Sequence, residues 1–144
     1  EYPEGAWDCV VSNLALHYIE DLDSIFEKVH GTLKKDGIFL FNIEHPVFTA
    51  GVGQDWAYGE DGTPLYWPID RYFMPGERIT HFLGCEVRKQ HHTLTQILMG
   101  LLKQGFELQA VEEAQPSKEM LQIPGMSDEL RRPMMLLVKA KRAE

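Results

Sequence analysis

Apolar positions along the chain fall into two periodicities. Residues 7–13, WDCVVSN, form a short, nearly continuous apolar run, the pattern of a strand buried on both faces of a parallel sheet. From Leu22 the spacing becomes helical, with Leu22, Ile25, Phe26, Val29 and Leu33 on one face. Asp21 suits the N-cap and Asp23 the first turn; Lys34 and Lys35 close the pattern, and Gly37 fits a helix stop. GIFLFNI, residues 37–43, then reads as a second buried strand, so the first 43 residues predict a βαβ unit with a right-handed crossover.

The period disappears over residues 46–78, which are rich in glycine, proline and aromatic residues. A connection of that length in a compact domain is usually functional. IDRYFM and RITHFLGCEV, on either side of Pro75-Gly76, predict a hairpin, and residues 46–92 together predict a lid inserted into the domain. Helical spacing returns at Leu94, Ile97, Leu98, Leu101 and Leu102, bounded by Thr93 and Gly105. FELQAVEE is a strand, a short helix is expected near SKEMLQ, and PMMLLVKAK is a closing strand with Pro133 at its start. The last two strands are separated only by a loop, so they can pair antiparallel.

Composition narrows the function. A length of 144 residues with 44% hydrophobic and 25% charged residues describes one globular domain. A net charge of -8 disfavours nucleic acid as a partner. No apolar run is long enough to cross a bilayer, and the first residues do not read as a signal peptide. Cys9 and Cys85 lie far apart and need no bridge, which fits a reducing cytoplasm. The spacing of His81, His91 and His92 matches no zinc pattern, so no metal is expected.

Chemistry-bearing residues collect at strand ends. NIEHP leaves the second strand with Glu44 beside His45, a carboxylate and an imidazole able to move a proton; a structural pair fixing the root of the lid is the bland alternative. His91 is a third candidate for the same role. Trp56, Tyr58 and Tyr72 can wall a substrate pocket or form the lid's own small core. Asn13, at the end of the first strand, either meets a ligand or satisfies turn backbone groups.

The stretch AWDCVVSNLALHYIEDLDSIFEKVHGTLKKDGIFLFNIEHP resembles the middle of class I S-adenosylmethionine-dependent methyltransferases. HTL…LLKQGFELQAVEEAQP and RRPMMLLVKAKR resemble the last helix and closing strand pair of that family. The resemblance implies an α/β, Rossmann-like sheet ordered 3-2-1-4-5-7-6. Residues 1–144 would supply strands 4 to 7, the substrate-facing C-terminal part of the domain, without the glycine-rich loop and the ribose-binding acid. It implies S-adenosylmethionine as cofactor, with Ser12, Asn13 and Leu14 along its methionine end and His17 a further contact.

The expected function is methyl transfer to a small molecule, the 144-residue chain alone being inactive. The rival is a non-catalytic binding or partner module. A nicotinamide-dependent oxidoreductase is disfavoured by the antiparallel closing pair. Strand 4 would leave an unpaired edge, through which a homodimer or another association is expected.

Overall fold

The structure, a computed structural model, describes residues 2–144. In chain order it contains β1 (Trp7–Asn13), α1 (Leu22–Thr32), β2 (Leu33–Glu44), α2 (Pro46–Thr49), β3 (Ala57–Tyr58), β4 (Pro64–Tyr66), β5 (Gly76–Phe82), β6 (Cys85–His91), α3 (Leu94–Lys103), β7 (Phe106–Glu113) and β8 (Met135–Arg142). Single 3-10 turns occur at Leu16–Tyr18, Val52–Gln54, Met120–Gln122 and Met126–Leu130.

The main sheet has the order β1-β2-β8-β7. β1 runs parallel to β2, and β8 runs antiparallel to both β2 and β7. The order agrees with the sequence 4-5-7-6 that the resemblance implies for its last four strands. The loop after β7 lets the last strand double back and slot between β2 and β7, which a helical crossover would not allow.

The core lies on one face of this sheet. In β2 the residues Phe39, Phe41 and Ile43 point inward, matched by Leu136, Val138 and Ala140 of β8. Phe26 of α1 is fully buried and stacks 6.0 Å from Phe41, with Phe39 edge-on at 6.1 Å. Ile97 and Leu101 of α3 complete the layer beside Phe106. Gly100 lets the two helices approach, since a Cβ there would lie 2.9 Å from the Asp23 carboxylate and 3.2 Å from the Phe26 ring.

Three sequence expectations are corrected. β1 is not buried on both faces: Trp7 and Val11 are more than half exposed, because the described helices cover one face of the sheet and β1 forms its edge. Helix α1 ends at Thr32, and β2 begins at once with Leu33. The left-handed residue in that region is Asp36, while Gly37 is needed for close approach, a Cβ there meeting the Lys34 carbonyl at 2.8 Å. Finally, Pro75-Gly76 is not the hairpin turn. RITHFLGCEV is itself folded, with β5 and β6 joined by Leu83-Gly84 at φ 50° and 77°, the two positive values of a type I′ turn. Leucine at the first of these positions conceals the signal that Asn-Gly would give.

The ends of α1 and α3 follow the sequence closely. The Asp21 carboxylate accepts from the Ser24 N–H at 3.0 Å, and Thr93 forms a reciprocal capping box with Gln96. Phe26→Ala is expected to lower unfolding free energy by about 3–5 kcal/mol through the cavity it opens, and Thr93→Ala by about 1 kcal/mol through the lost cap. Urea titrations of the two variants check both the sizes and their order.

Candidate functional site

Strands β1 and β2 end side by side, with Asn13 in register with Asn42. The Asn42 carboxamide N–H donates to the Asn13 side-chain oxygen at 3.2 Å. The chain then turns sharply: Leu14 adopts φ 54°, a left-handed conformation costly for a branched side chain, while its N–H donates to the Asn42 carbonyl at 2.9 Å. The Leu14 side chain, 41% exposed, is thereby turned out at the strand ends. The next residues form the 3-10 turn Leu16–Tyr18, which carries His17 back beneath β2.

His17 is buried, and its Nδ1 accepts from the Glu44 backbone N–H at 3.3 Å. That contact places the ring proton on Nε2, which faces Glu44 Oε1 at 3.7 Å, beyond hydrogen-bond reach. Burial is the first cause holding the His17 pKa below its ordinary value; the Glu44 charge opposes it and the Lys89 charge reinforces it. Glu44 is 8% exposed. Its Oε1 accepts from Lys89 Nζ of β6 at 2.6 Å, and the same ammonium donates to Gln54 Oε1 at 3.0 Å.

These four side chains line one cavity of about 300 Å³ at the carboxyl ends of β1 and β2, roofed by the β5–β6 hairpin through Thr80, His81 and Phe82. Leu14, Tyr18, Phe48, Met134 and Met135 complete an apolar wall. Open α/β sheets place ligands at the carboxyl ends of strands where the strand order reverses, and a mostly apolar pocket with a few convergent polar groups is the usual form of a small-molecule site. Among the described residues no group of three or more histidine, cysteine or acidic side chains is placed to hold a metal ion.

A family model described as a methyltransferase domain matches residues 1–41. The chain is 48% identical to a Listeria monocytogenes protein assigned as an S-adenosylmethionine-dependent methyltransferase; the match covers all of this chain and 65% of that one, with a TM-score of 0.95. An S-adenosylmethionine-dependent methyltransferase of Mesorhizobium loti is 40% identical, with 97% of this chain and 63% of the other covered and a TM-score of 0.85. In sequence and fold the chain is similar to class I S-adenosylmethionine-dependent methyltransferases. An uncharacterized Haemophilus influenzae protein is 26% identical over the whole chain and 57% of its own length. The chain thus spans less than two thirds of the length of these relatives.

The residues expected from sequence divide sharply in this structure. Leu14, His17 and Glu44 meet in the cavity, whereas Ser12 and Asn13, which precede Leu14 on β1, are not part of its lining. Glu44 and His45 do not work as a pair. His45 caps α2, its Nδ1 accepting from the Val47 N–H at 3.0 Å, which leaves Nε2 to donate to Glu113 at 2.6 Å. His91 has no exposed surface and both ring nitrogens engaged, with the Thr49 hydroxyl at 2.6 Å and the Tyr72 carbonyl at 2.8 Å.

Trp56, Tyr58 and Tyr72 do not line the cavity. Trp56 packs edge-on to Trp67 with Arg131 and Arg132 over its ring; Tyr58 donates to Asp55 at 2.9 Å; the Tyr72 hydroxyl accepts from the Leu94 N–H at 3.1 Å. Lys89 and Gln54 are the site residues that sequence reasoning missed. Lys89 lies in the polar run RKQHH, where nothing marks one charge as buried, and Gln54 lies in the stretch without period.

His17, His30, His45, His91 and His92 all have pKa values below the ordinary histidine value, burial being the first cause for each. Above about pH 6.5 both the folded and unfolded chains hold these rings neutral and the full stability is present. Below it the unfolded chain binds protons that the folded chain resists, so stability falls with pH until the depressed folded values are passed. Urea midpoints are expected to drop between pH 7.5 and pH 5; a flat profile there would contradict the burial of these rings.

Proposed function

We propose that the chain forms the substrate-facing part of an S-adenosylmethionine-dependent methyltransferase acting on a small molecule in a reducing cytoplasm. The observation that carries this reading is the cavity at the ends of β1 and β2, in which Glu44 Oε2 is buried without a partner among the described residues. The size of the cavity suits a small molecule rather than a polymer. No described helix is long and apolar enough to cross a membrane, and the net charge of -8 disfavours nucleic acid.

The residues at the end of β1 fit the methionine end of the cofactor. Asn42 Oδ1 is buried without a partner among the described residues, and the left-handed turn at Leu14 lies beside it. On this reading Ser12, Asn13, Leu14 and His17 line the cofactor. S-adenosylmethionine, when bound, supplies an electrophilic methyl carbon. The chain's own task is to aim an acceptor atom at that carbon and to exclude water. Glu44 is the group placed to take a proton from an N–H or O–H acceptor, and neutral His17 holds the Glu44 backbone in place. His45 and His91 act as positioning residues, His45 at the root of the lid and His91 between Thr49 and Tyr72. Residues 46–92 act as the lid, in which Trp56 and Tyr58 shape the aromatic packing and Tyr72 anchors the start of α3.

In the full-length protein, Asn13→Leu is expected to weaken S-adenosylmethionine binding by about 1–3 kcal/mol, while Glu44→Gln lowers the transfer rate by a factor of about 10²–10⁴ and leaves cofactor affinity nearly unchanged. Calorimetry with the cofactor and single-turnover assays separate the two effects. Loss of cofactor binding in Glu44→Gln would move Glu44 out of the acceptor site.

The exposed edge of β1 favours a second reading in part, that of a module completed by another segment or another copy. Trp7 and Val11 present an apolar flank beside unpaired backbone groups. The 144-residue chain alone is expected to sediment as a dimer at micromolar concentration and to lack methyl transfer. A monomer with that edge exposed would rule out pairing through β1.

A further inference from the structure

The cavity also carries information about the acceptor, and this inference rests on the methyltransferase reading. Two of its buried polar atoms lack partners among the described residues: Glu44 Oε2, an acceptor, and Gln54 Nε2, a donor. They are not independent. One ammonium, Lys89 Nζ, holds Oε1 of Glu44 at 2.6 Å and Oε1 of Gln54 at 3.0 Å. That fixes which atom of each group is left over: a free acceptor on Glu44 and a free donor on Gln54, two side chains joined through the same lysine. Buried polar groups without partners are costly, so a ligand that satisfies both gains specificity as well as affinity.

The charge balance sets the second constraint. Lys89 is the one lysine or arginine in the lining, and Glu44 already compensates it. His17 is held neutral by burial, so it supplies no further positive charge. A phosphate or sulfate would find no lysine or arginine in the lining that is not already paired. Much of the rest of the wall is apolar, with Leu14, Phe48, Phe82, Met134 and Met135, interrupted by Tyr18, Thr80 and His81.

We propose that the acceptor is an uncharged, largely apolar small molecule that presents an N–H and an adjacent carbonyl, a lactam edge, with the N–H donating to Glu44 Oε2 and the carbonyl accepting from Gln54 Nε2. Glu44 and Gln54 then determine specificity, and Lys89 is a positioning residue that holds both in register.

The test uses the full-length protein and three probes of similar size: 2-quinolone, N-methyl-2-quinolone, whose donor is blocked, and 1-naphthyl phosphate. Binding is followed by calorimetry with and without S-adenosylhomocysteine. 2-Quinolone is expected to bind at least tenfold more tightly than its N-methyl derivative, with no detectable binding of the phosphate. Gln54→Met, a change in a half-buried residue of the lid, is expected to weaken 2-quinolone about tenfold while leaving thermal stability near wild type. Equal binding of the two quinolones, preference for the phosphate, no binding of any probe, or an unaffected Gln54→Met would overturn the proposal. S-adenosylhomocysteine binding is read separately: if it fails, the methyltransferase reading falls, and if it holds while the quinolone preference is absent, only the acceptor class is wrong.

Discussion

A carboxylate buried at the end of a strand must be compensated, and in this fold the compensation comes from the β5–β6 hairpin. Glu44 closes β2, and the ammonium that answers it belongs to β6, on a hairpin outside the main sheet. Removing one member of such a pair leaves an uncompensated buried charge, a loss of about 3–5 kcal/mol. The ion pair therefore does more than decorate a pocket. It ties the hairpin to the strand ends, and the space between them is the cavity. Phe48 contributes a second contact to the same lysine, its ring lying 5.8 Å from the ammonium.

The aromatic residues of the insertion serve that attachment. Arg132 lies 4.5 Å from the Trp67 ring centre, 5.1 Å from Trp56 and 5.2 Å from Phe48, while also pairing with Glu129 at 2.6 Å. The Trp67 indole donates to the Val47 carbonyl at 3.0 Å, and Gly51 leaves room for its ring, since a Cβ at that position would lie 2.5 Å from it. Guanidinium–aromatic stacking of this kind holds the root of the insertion against the segment leading into β8. An insertion built this way has its own small core and gives the cavity Phe48, Gln54 and the β5–β6 hairpin.

These contacts explain what the sequence revealed and what it hid. Elements with a strong period were legible: β1, the start of α1, α3 with its cap, and the order of the last two strands all follow from side-chain spacing and from Asp21, Thr93 and Gly105. The burial of β1 was not, because an apolar run records the faces a strand is suited to bury and not whether neighbours cover them. Glu44 could be singled out at its strand end, since a carboxylate after NI invites a role. Its partners could not, because Lys89 and Gln54 are 45 and 35 residues away from their contacts and carry no local signal. His45 and His91 show the converse hazard. Each has the right chemistry for proton transfer, yet each spends both nitrogens on backbone, hydroxyl or carboxylate partners within the fold.

The same geometry separates two tasks within a short distance. The end of β1 offers amide and backbone groups, Asn13, Asn42 and the turned-out Leu14; the end of β2 offers a charge, Glu44, already balanced. His17 connects them, since it sits on the turn leaving β1 and accepts from the backbone of Glu44. On the proposed reading, the cofactor would lie along the first set and the acceptor against the second, so a shift in one strand end would be felt at the other through a single neutral imidazole. Protonating that ring would turn its Nδ1 from acceptor to donor and set it against the Glu44 N–H. The burial that keeps His17 neutral is thus part of what keeps the two halves of the site aligned.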